Sequence, residues 1–228
     1  MLLFQPEGGA AQEWVVAQES VRKSLDEARQ AWEEMSRCPY LEVYTDGSAP
    51  VRNPGGPAGY AAVVVGFDAP LSGQVAERPT PTSRLDLGAY VPARKKEPLT
   101  SNNRAEIGGI LLALLAMRSL SQMGWRGAQG TIWSDSQYAV YCATGKWKRK
   151  KNTDLWPTYD DLALEVWRAL PEGGYRLMWV RGHDGHAQNE YANHLATRAA
   201  ARPDASPGLV ASEVESWLGG ASARRTVK

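Results

Sequence analysis

The apolar positions change period several times along the chain, and each change marks a predicted element. In residues 11–36, Val21, Leu25, Ala28, Trp32 and Met35 recur at spacings of three and four with charged residues between them, which predicts an amphipathic helix. Leu41 to Asp46 and Tyr60 to Val65 are short β-rich runs, separated by a turn containing Pro54, Gly55, Gly56, Pro57 and Gly59. Leu85, Leu87 and Ala89 alternate within a third predicted strand, Leu85 to Val91. Strands joined this way are expected to be antiparallel. Residues 68–84 are rich in Pro, Ser and Thr and predict an extended hairpin loop.

The second half alternates helix and strand. Ile107, Ile110, Leu111, Leu114 and Leu115 form the stripe of a helix that starts near Asn103 and ends at Gly124. Gly108 and Gly109 each cost such a helix about 1 kcal/mol, which points to close packing against a sheet. Thr131 to Asp135 predicts a fourth strand and Ser136 to Thr144 a short helix. Asp154 to Leu170 predicts a longer helix, with Leu155, Leu162, Val166 and Trp167 apolar. Tyr175 to Val180 predicts a fifth strand, and residues 187–201 a last helix with Leu195 and Ala199 inward. Residues 1–10 and the segment from Pro203 onward are expected to be flexible, with a short helical turn within Val210 to Leu218. This order predicts an α/β fold, a mixed sheet covered by helices.

Composition narrows the class. With 228 residues, 43% of them hydrophobic, the chain can bury one substantial core. The formal net charge is only +1, so a nucleic-acid partner would be held by a local basic patch. Cys38 and Cys142 have no metal-type spacing and point to a reducing compartment. There is no secretion-signal pattern, and no apolar run approaches the ~20 residues of a membrane span. A cytoplasmic protein with no membrane partner is expected.

Four stretches carry candidate chemistry. Tyr44-Thr45-Asp46-Gly47-Ser48 places an aspartate at a strand end beside a glycine-rich turn, although Asp-Gly alone is also a common turn dipeptide. Ser101-Asn102-Asn103-Arg104-Ala105-Glu106 opens the long helix. Ile132-Trp133-Ser134-Asp135-Ser136-Gln137-Tyr138 ends a strand. Trp179-Val180-Arg181-Gly182-His183-Asp184-Gly185-His186 leads into Asn189-Glu190-Tyr191-Ala192-Asn193. In this order the four blocks resemble a type 1 ribonuclease H, over roughly residues 40–200.

The resemblance implies a ribonuclease H-like fold, with a five-stranded mixed sheet of three antiparallel strands followed by parallel ones. Its domain would span 40–201, between an N-terminal helical extension (1–39) and a C-terminal tail (202–228). It implies an endoribonuclease that cuts the RNA strand of RNA/DNA hybrids and leaves 5′-phosphate and 3′-hydroxyl ends. Phosphodiester hydrolysis needs an activated water and a stabilised leaving oxygen, which two divalent ions supply together, and oxygen donors suit magnesium or manganese. Asp46, Glu106 and Asp135 would hold the two ions, with Asp46 shared.

The fourth position departs from the family pattern, with Asn193 where an aspartate is usual. An amide keeps a carbonyl oxygen but loses the charge. Three alternatives follow: Asn193 is a neutral ligand, Glu190 one turn earlier makes up the charge, or the chain is a non-catalytic hybrid-binding module. His183, between Gly182 and Gly185, suits proton transfer near neutral pH. His186 and His194 read as structural or solvent-facing.

Distinguishing RNA from DNA requires contacts to the 2′-hydroxyl, and amides can both donate and accept. Asn102 offers such an amide, and the resemblance assigns hybrid contacts to Asn53, Asn103 and Gln137 and a DNA-strand phosphate to Ser101. Capping of the helix by Asn102 or Asn103 is the plainer alternative. Lys146-Trp147-Lys148-Arg149-Lys150-Lys151 is the strongest basic patch, with Lys148, Arg149 and Lys150 as candidate phosphate contacts. The same fold also serves transposases and DNA-junction nucleases, against which these amides argue. A monomer is expected; a dimer through the N-terminal helix is the alternative.

Overall fold

A computed structural model describes residues 29–69, 81–170, 174–182, 186–203 and 208–218. Its strands are β1 (Tyr40–Ser48), β2 (Ala58–Phe67), β3 (Ser83–Val91), β4 (Gln129–Ser134), β5 (Tyr175–Trp179) and the two-residue β6 (Gly208–Leu209). Its helices are α1 (Arg29–Ser36), α2 (Asn102–Gln122), α3 (Gln137–Ala143), α4 (Trp156–Ala169) and α5 (Ala187–Ala200). The sheet order is β5-β4-β1-β2-β3-β6. β1, β2 and β3 pair antiparallel, while β4 joins β1, and β5 joins β4, in parallel. This is the mixed five-stranded sheet expected from the element order, with β6 added beyond β3.

Period-2 alternation decides which residues meet which helices. Leu41, Val43, Ala62 and Val64 face α2, α3 and α4, while Tyr44, Ala61, Val63 and Val65 face α5. β2 is covered on both sides, so all ten of its residues are buried, and its apolar run is unbroken where a half-exposed strand would alternate. The glycine pair in α2 has a packing cause. A Cβ on Gly108 would meet the Tyr60 ring, and one on Gly109 would lie 3.0 Å from the Asp46 carbonyl oxygen. Ala192, Ala196 and Ala200 give α5 a stripe of small residues facing the sheet. A Cβ on Gly59 would run into the backbone of Ala196 and Ala200, so this helix too lies close on β2.

Several boundaries differ from the sequence reading. α2 starts at Asn102, and its cap is Ser101, whose side chain accepts from Arg104 N, rather than either asparagine. α4 starts at Trp156, because Pro157 sits in its first turn and Asp154 pairs with Arg104 instead. In the tail, Gly208–Leu209 pairs with β3, and a helical turn at 214–218 places Val214 and Trp217 against the Tyr191 cluster. This part of the segment read as flexible is held because its apolar residues cover the outer side of α5. Of the N-terminal stripe, Trp32 and Met35 are fully buried in the domain's own core. Val21, Leu25 and Ala28, with residues 1–10 and most of the 68–84 loop, lie outside the described residues. Among the described residues, no helix is long and apolar enough to cross a membrane.

Candidate active site

Strand register brings two of the acidic residues together. β1 and β4 run parallel, and their last paired residues are Thr45 and Ser134. The next residues, Asp46 and Asp135, therefore stand side by side at the C-terminal ends of neighbouring strands, a common place for ligand sites in open α/β sheets. Glu106 reaches them from the start of α2. Gly47 makes this approach possible, because a Cβ there would collide with the backbone of Ala105 and Glu106. Oxygens of Asp46, Glu106 and Asp135 all lie within 4.8 Å of one another.

This cluster is electrostatically unfavourable by itself. Asp46 is 5% exposed and Glu106 6%. Burial, and next the charge of Asp135, pushes the Asp46 carboxyl up to about 7. Burial, then the charges of Asp46 and Asp135, pushes Glu106 well above the usual carboxylate range. Gly47 N donates to Asp46 Oδ1 at 2.6 Å, and Asn102 Nδ2 to Glu106 Oε1 at 3.3 Å. Glu106 Oε2 is buried with no hydrogen-bond partner. An all-oxygen donor set with excess negative charge and an orphaned acceptor fits a hard divalent cation.

Asn189, in the first turn of α5, carries no role in the sequence reading. It is 2% exposed, and its Nδ2 donates to Asp135 Oδ2 at 3.0 Å. The signal for it was a polar residue four positions before Asn193, on the face that carries the inward alanines. Asn193 lies half-buried one turn further along the same face. Glu190, half-buried beside Asn189 in α5, is not among the three carboxylates that converge within 4.8 Å. The connection before α5 also passes close by, since a Cβ on Gly182 would lie 2.7 Å from Asp135 Oδ2. His183 lies outside the described residues. His186 precedes α5, and His194 stacks on Tyr191 and lies against Trp217 at a tilt.

The amides separate into two groups. Asn53 Oδ1 accepts from Asn102 N, and Asn102 Oδ1 accepts from Ala49 N, each at 3.1 Å. Asn102 thus ties the β1 turn to Glu106, and its amide is committed at both ends. Asn103 and Gln137 are exposed, in the first turns of α2 and α3. Beside Asn53 a cleft is lined by Arg52, Gly55, Lys95 and Leu99. In the basic segment, Lys146, Lys148, Lys150 and Lys151 are exposed, with Trp147 47% exposed. Arg149 is not available in the same way. Its guanidinium bonds Asp160 at 2.7 Å, donates from Nε to Cys142 O at 3.0 Å, and stacks on Trp156 and Tyr159. It fastens the segment to α4, a role that a charge count along the sequence could not reveal.

Residues 39–201 match the family model for RNase H, most of the chain. The chain belongs to the ribonuclease H family. A ribonuclease H from Anaeromyxobacter dehalogenans is 34% identical over 200 residues, covering 83% of this chain and 96% of that protein. One from Polynucleobacter asymbioticus is 32% identical over 177 residues, covering 72% of this chain and 91% of that protein. Among solved structures, LC9-RNase H1, described as a type 1 RNase H with the type 2 active-site motif, is 30% identical with a TM-score of 0.52, covering 79% of this chain and 81% of its own. The acidic cluster thus sits in a ribonuclease H fold, and the chain is an enzyme of that family.

Proposed function

We propose that this ribonuclease H hydrolyses the RNA strand of RNA/DNA hybrids with two bound magnesium or manganese ions, leaving 5′-phosphate and 3′-hydroxyl ends. The observation that carries the proposal is the convergence of Asp46, Glu106 and Asp135 at the strand ends of a chain of this family. Asp46, Glu106 and Asp135 would hold the ions, with Asp46 the shared carboxylate, and Asn193 would add a neutral oxygen. Bound cations would activate the attacking water and stabilise the departing oxygen. Asn189 holds one oxygen of Asp135, and Asn102 holds one of Glu106, so the chain supplies these two carboxylates already oriented. His183 moves a proton near the scissile phosphate.

The hybrid lies across this end of the sheet. Asn103 and Gln137, both exposed, contact it, as do Asn53 and Ser101 at the turn and the helix cap. Lys148 and Lys150 contact phosphates, and Arg149 supports them from behind. The cations of Arg52 and Lys95 beside Asn53 extend the same track. Residues 40–201 form the catalytic domain of a cytoplasmic enzyme. Burial of Trp32 and Met35 in the chain's own core supports a monomer, since that part of the N-terminal stripe is not left for a second copy.

Cleavage of a labelled hybrid across magnesium and manganese concentrations tests the proposal, with Asp46→Asn and Asn193→Asp alongside. Cutting of the RNA strand by wild type and not by Asp46→Asn is expected. Wild type that binds the hybrid without cutting, beside an Asn193→Asp variant that cuts, would establish a binding module.

A further inference from the structure

The C-terminal segment makes a set of contacts that the catalytic reading does not use. Tyr191 of α5 is fully buried; its hydroxyl donates to Asp86 Oδ2 of β3 at 2.8 Å and accepts from Glu213 N at 2.8 Å. The Glu213 carboxylate forms an ion pair with Arg198, and His194 Nε2 lies 3.6 Å from Glu213 Oε2. Trp217 packs on the ring of Tyr191, centroids 5.5 Å apart, and on His194 at 6.4 Å. Tyr191, His194 and Arg198 follow one another at three and four residues and so form one stripe of α5. Asn189 and Asn193 lie on the opposite stripe, the side from which Asn189 holds Asp135. β6 pairing with β3 anchors the same segment to the sheet.

We propose that residues 208–218 are a positioning strap: Tyr191, Glu213 and Trp217 press α5 onto the sheet and so set Asn189 and Asn193 against the carboxylate site, tuning its affinity for divalent cations. The proposal rests on Asp46, Glu106 and Asp135 being the cation site. The physical route is short. α5 meets the sheet through alanines, which fit closely but interlock little, and Asn189 makes its bond from the first turn, where a helix frays most readily. A shift of well under a turn at Tyr191 would lengthen the 3.0 Å bond from Asn189 and free the Asp135 carboxylate to rotate. Tyr191, Glu213 and Trp217 touch no reacting group; they act through α5.

Manganese binding to the full chain by calorimetry separates this role from a purely structural one. Tyr191→Phe keeps the ring and removes the hydroxyl bridge. Glu213→Arg breaks the pair with Arg198, and the exchange Glu213→Arg with Arg198→Glu rebuilds it with the charges swapped. Both single changes are expected to raise the manganese Kd about fivefold, less than the roughly tenfold or more that direct partners of metal ligands contribute, because these residues act one step further out. The exchange should restore much of that loss, and kcat at saturating manganese should stay near that of wild type. A lower Tm with an unchanged Kd in both single variants would overturn the strap as a positioning device. An exchange variant as weak as Glu213→Arg would remove the Arg198 pair from it. Asp46→Asn is the control: if it binds manganese as wild type does, the carboxylate site itself is misassigned and the strap proposal falls with it.

Discussion

Two buried carboxylate sites lie in this sheet, and they are built in opposite ways. Asp86 is 2% exposed on β3, and burial pushes its carboxyl above the ordinary aspartate value. The hydroxyls of Tyr191 and Ser212 and the nearby Arg84 charge act against that shift. It is a single acid supplied with donors from α5 and the C-terminal segment. The Asp46 site is as deeply buried for two of its members, yet there the charge of Asp135 pushes up both Asp46 and Glu106, and that of Asp46 pushes Glu106 further. Its donors are a backbone amide and two asparagine amides, and Glu106 Oε2 has none. Each site leaves one buried carboxylate oxygen without a partner, Asp86 Oδ1 and Glu106 Oε2, so what separates them is charge: a lone acid beside Arg84 against three acids brought together. Burial of an acid alone therefore says little about function, whereas three acids gathered at one point, two of them buried, say a great deal.

The largest effect should come from removing the shared carboxylate. Asp46→Asn is expected to lower kcat on a labelled hybrid by at least about a thousandfold, roughly 4 kcal/mol of barrier, in a steady-state assay at saturating magnesium. Residual turnover near wild type would mean that the cluster is not the reaction centre.

Next in size is the pH dependence of stability without divalent ions. The folded Asp46 carboxyl keeps its proton up to about 7, against an ordinary value of 3.8. Between those values the folded state binds more protons at this group than the unfolded one does, so its contribution to stability is fully present below about pH 4 and is lost as the pH rises toward 7. Thermal melts in chelator should show a loss of about 1–3 kcal/mol across that window. Saturating magnesium should remove most of the slope, because binding to the folded state alone stabilises it, and Asp46→Asn should flatten it without metal.

Asp86 supplies the contrast. Asp86→Ala leaves the Tyr191 hydroxyl with one partner fewer and should destabilise by about 1–3 kcal/mol. Magnesium should not abolish that deficit, since among the described residues Asp86 belongs to no cluster of three acids. If the cation erased it, the two sites would not be different in kind. The smallest effect should come from the basic segment. Lys148→Gln with Lys150→Gln should raise KM a few-fold, leave kcat alone, and reduce the salt slope of hybrid binding by about 2. Arg149→Gln should instead lower Tm, because its charge is already paired with Asp160.

Most of the fold was legible because its signals are local. β1 and β2 announce themselves by apolar runs ended by glycine-rich turns, and α2 by a long stripe closed at Gly124, where φ is +98°. Asp46 and Asp135 were legible as strand-end acids, and Glu106 as a helix-start acid. Asn189 was not, because its partner Asp135 is 54 residues away and the contact depends on where α5 comes to rest. The cap made by Ser101 and the pairing of Arg149 with Asp160 were not legible for a related reason: the same side chain can face a ligand or tie down a neighbour, and only the neighbour's position decides.

The chain by itself determined the order and type of its elements, the apolar face of each strand, and the placement of three acids at the ends of elements. These follow from periodicity and from turn and cap chemistry, which act over a few residues. The tertiary structure alone decided that β1 and β4 run parallel in a register that sets Asp46 beside Asp135, that Gly47 lets Glu106 approach, and that the C-terminal segment grips α5. Those outcomes depend on contacts between distant parts of the chain, whose geometry is settled only when the core packs and the backbone polar groups it buries find partners.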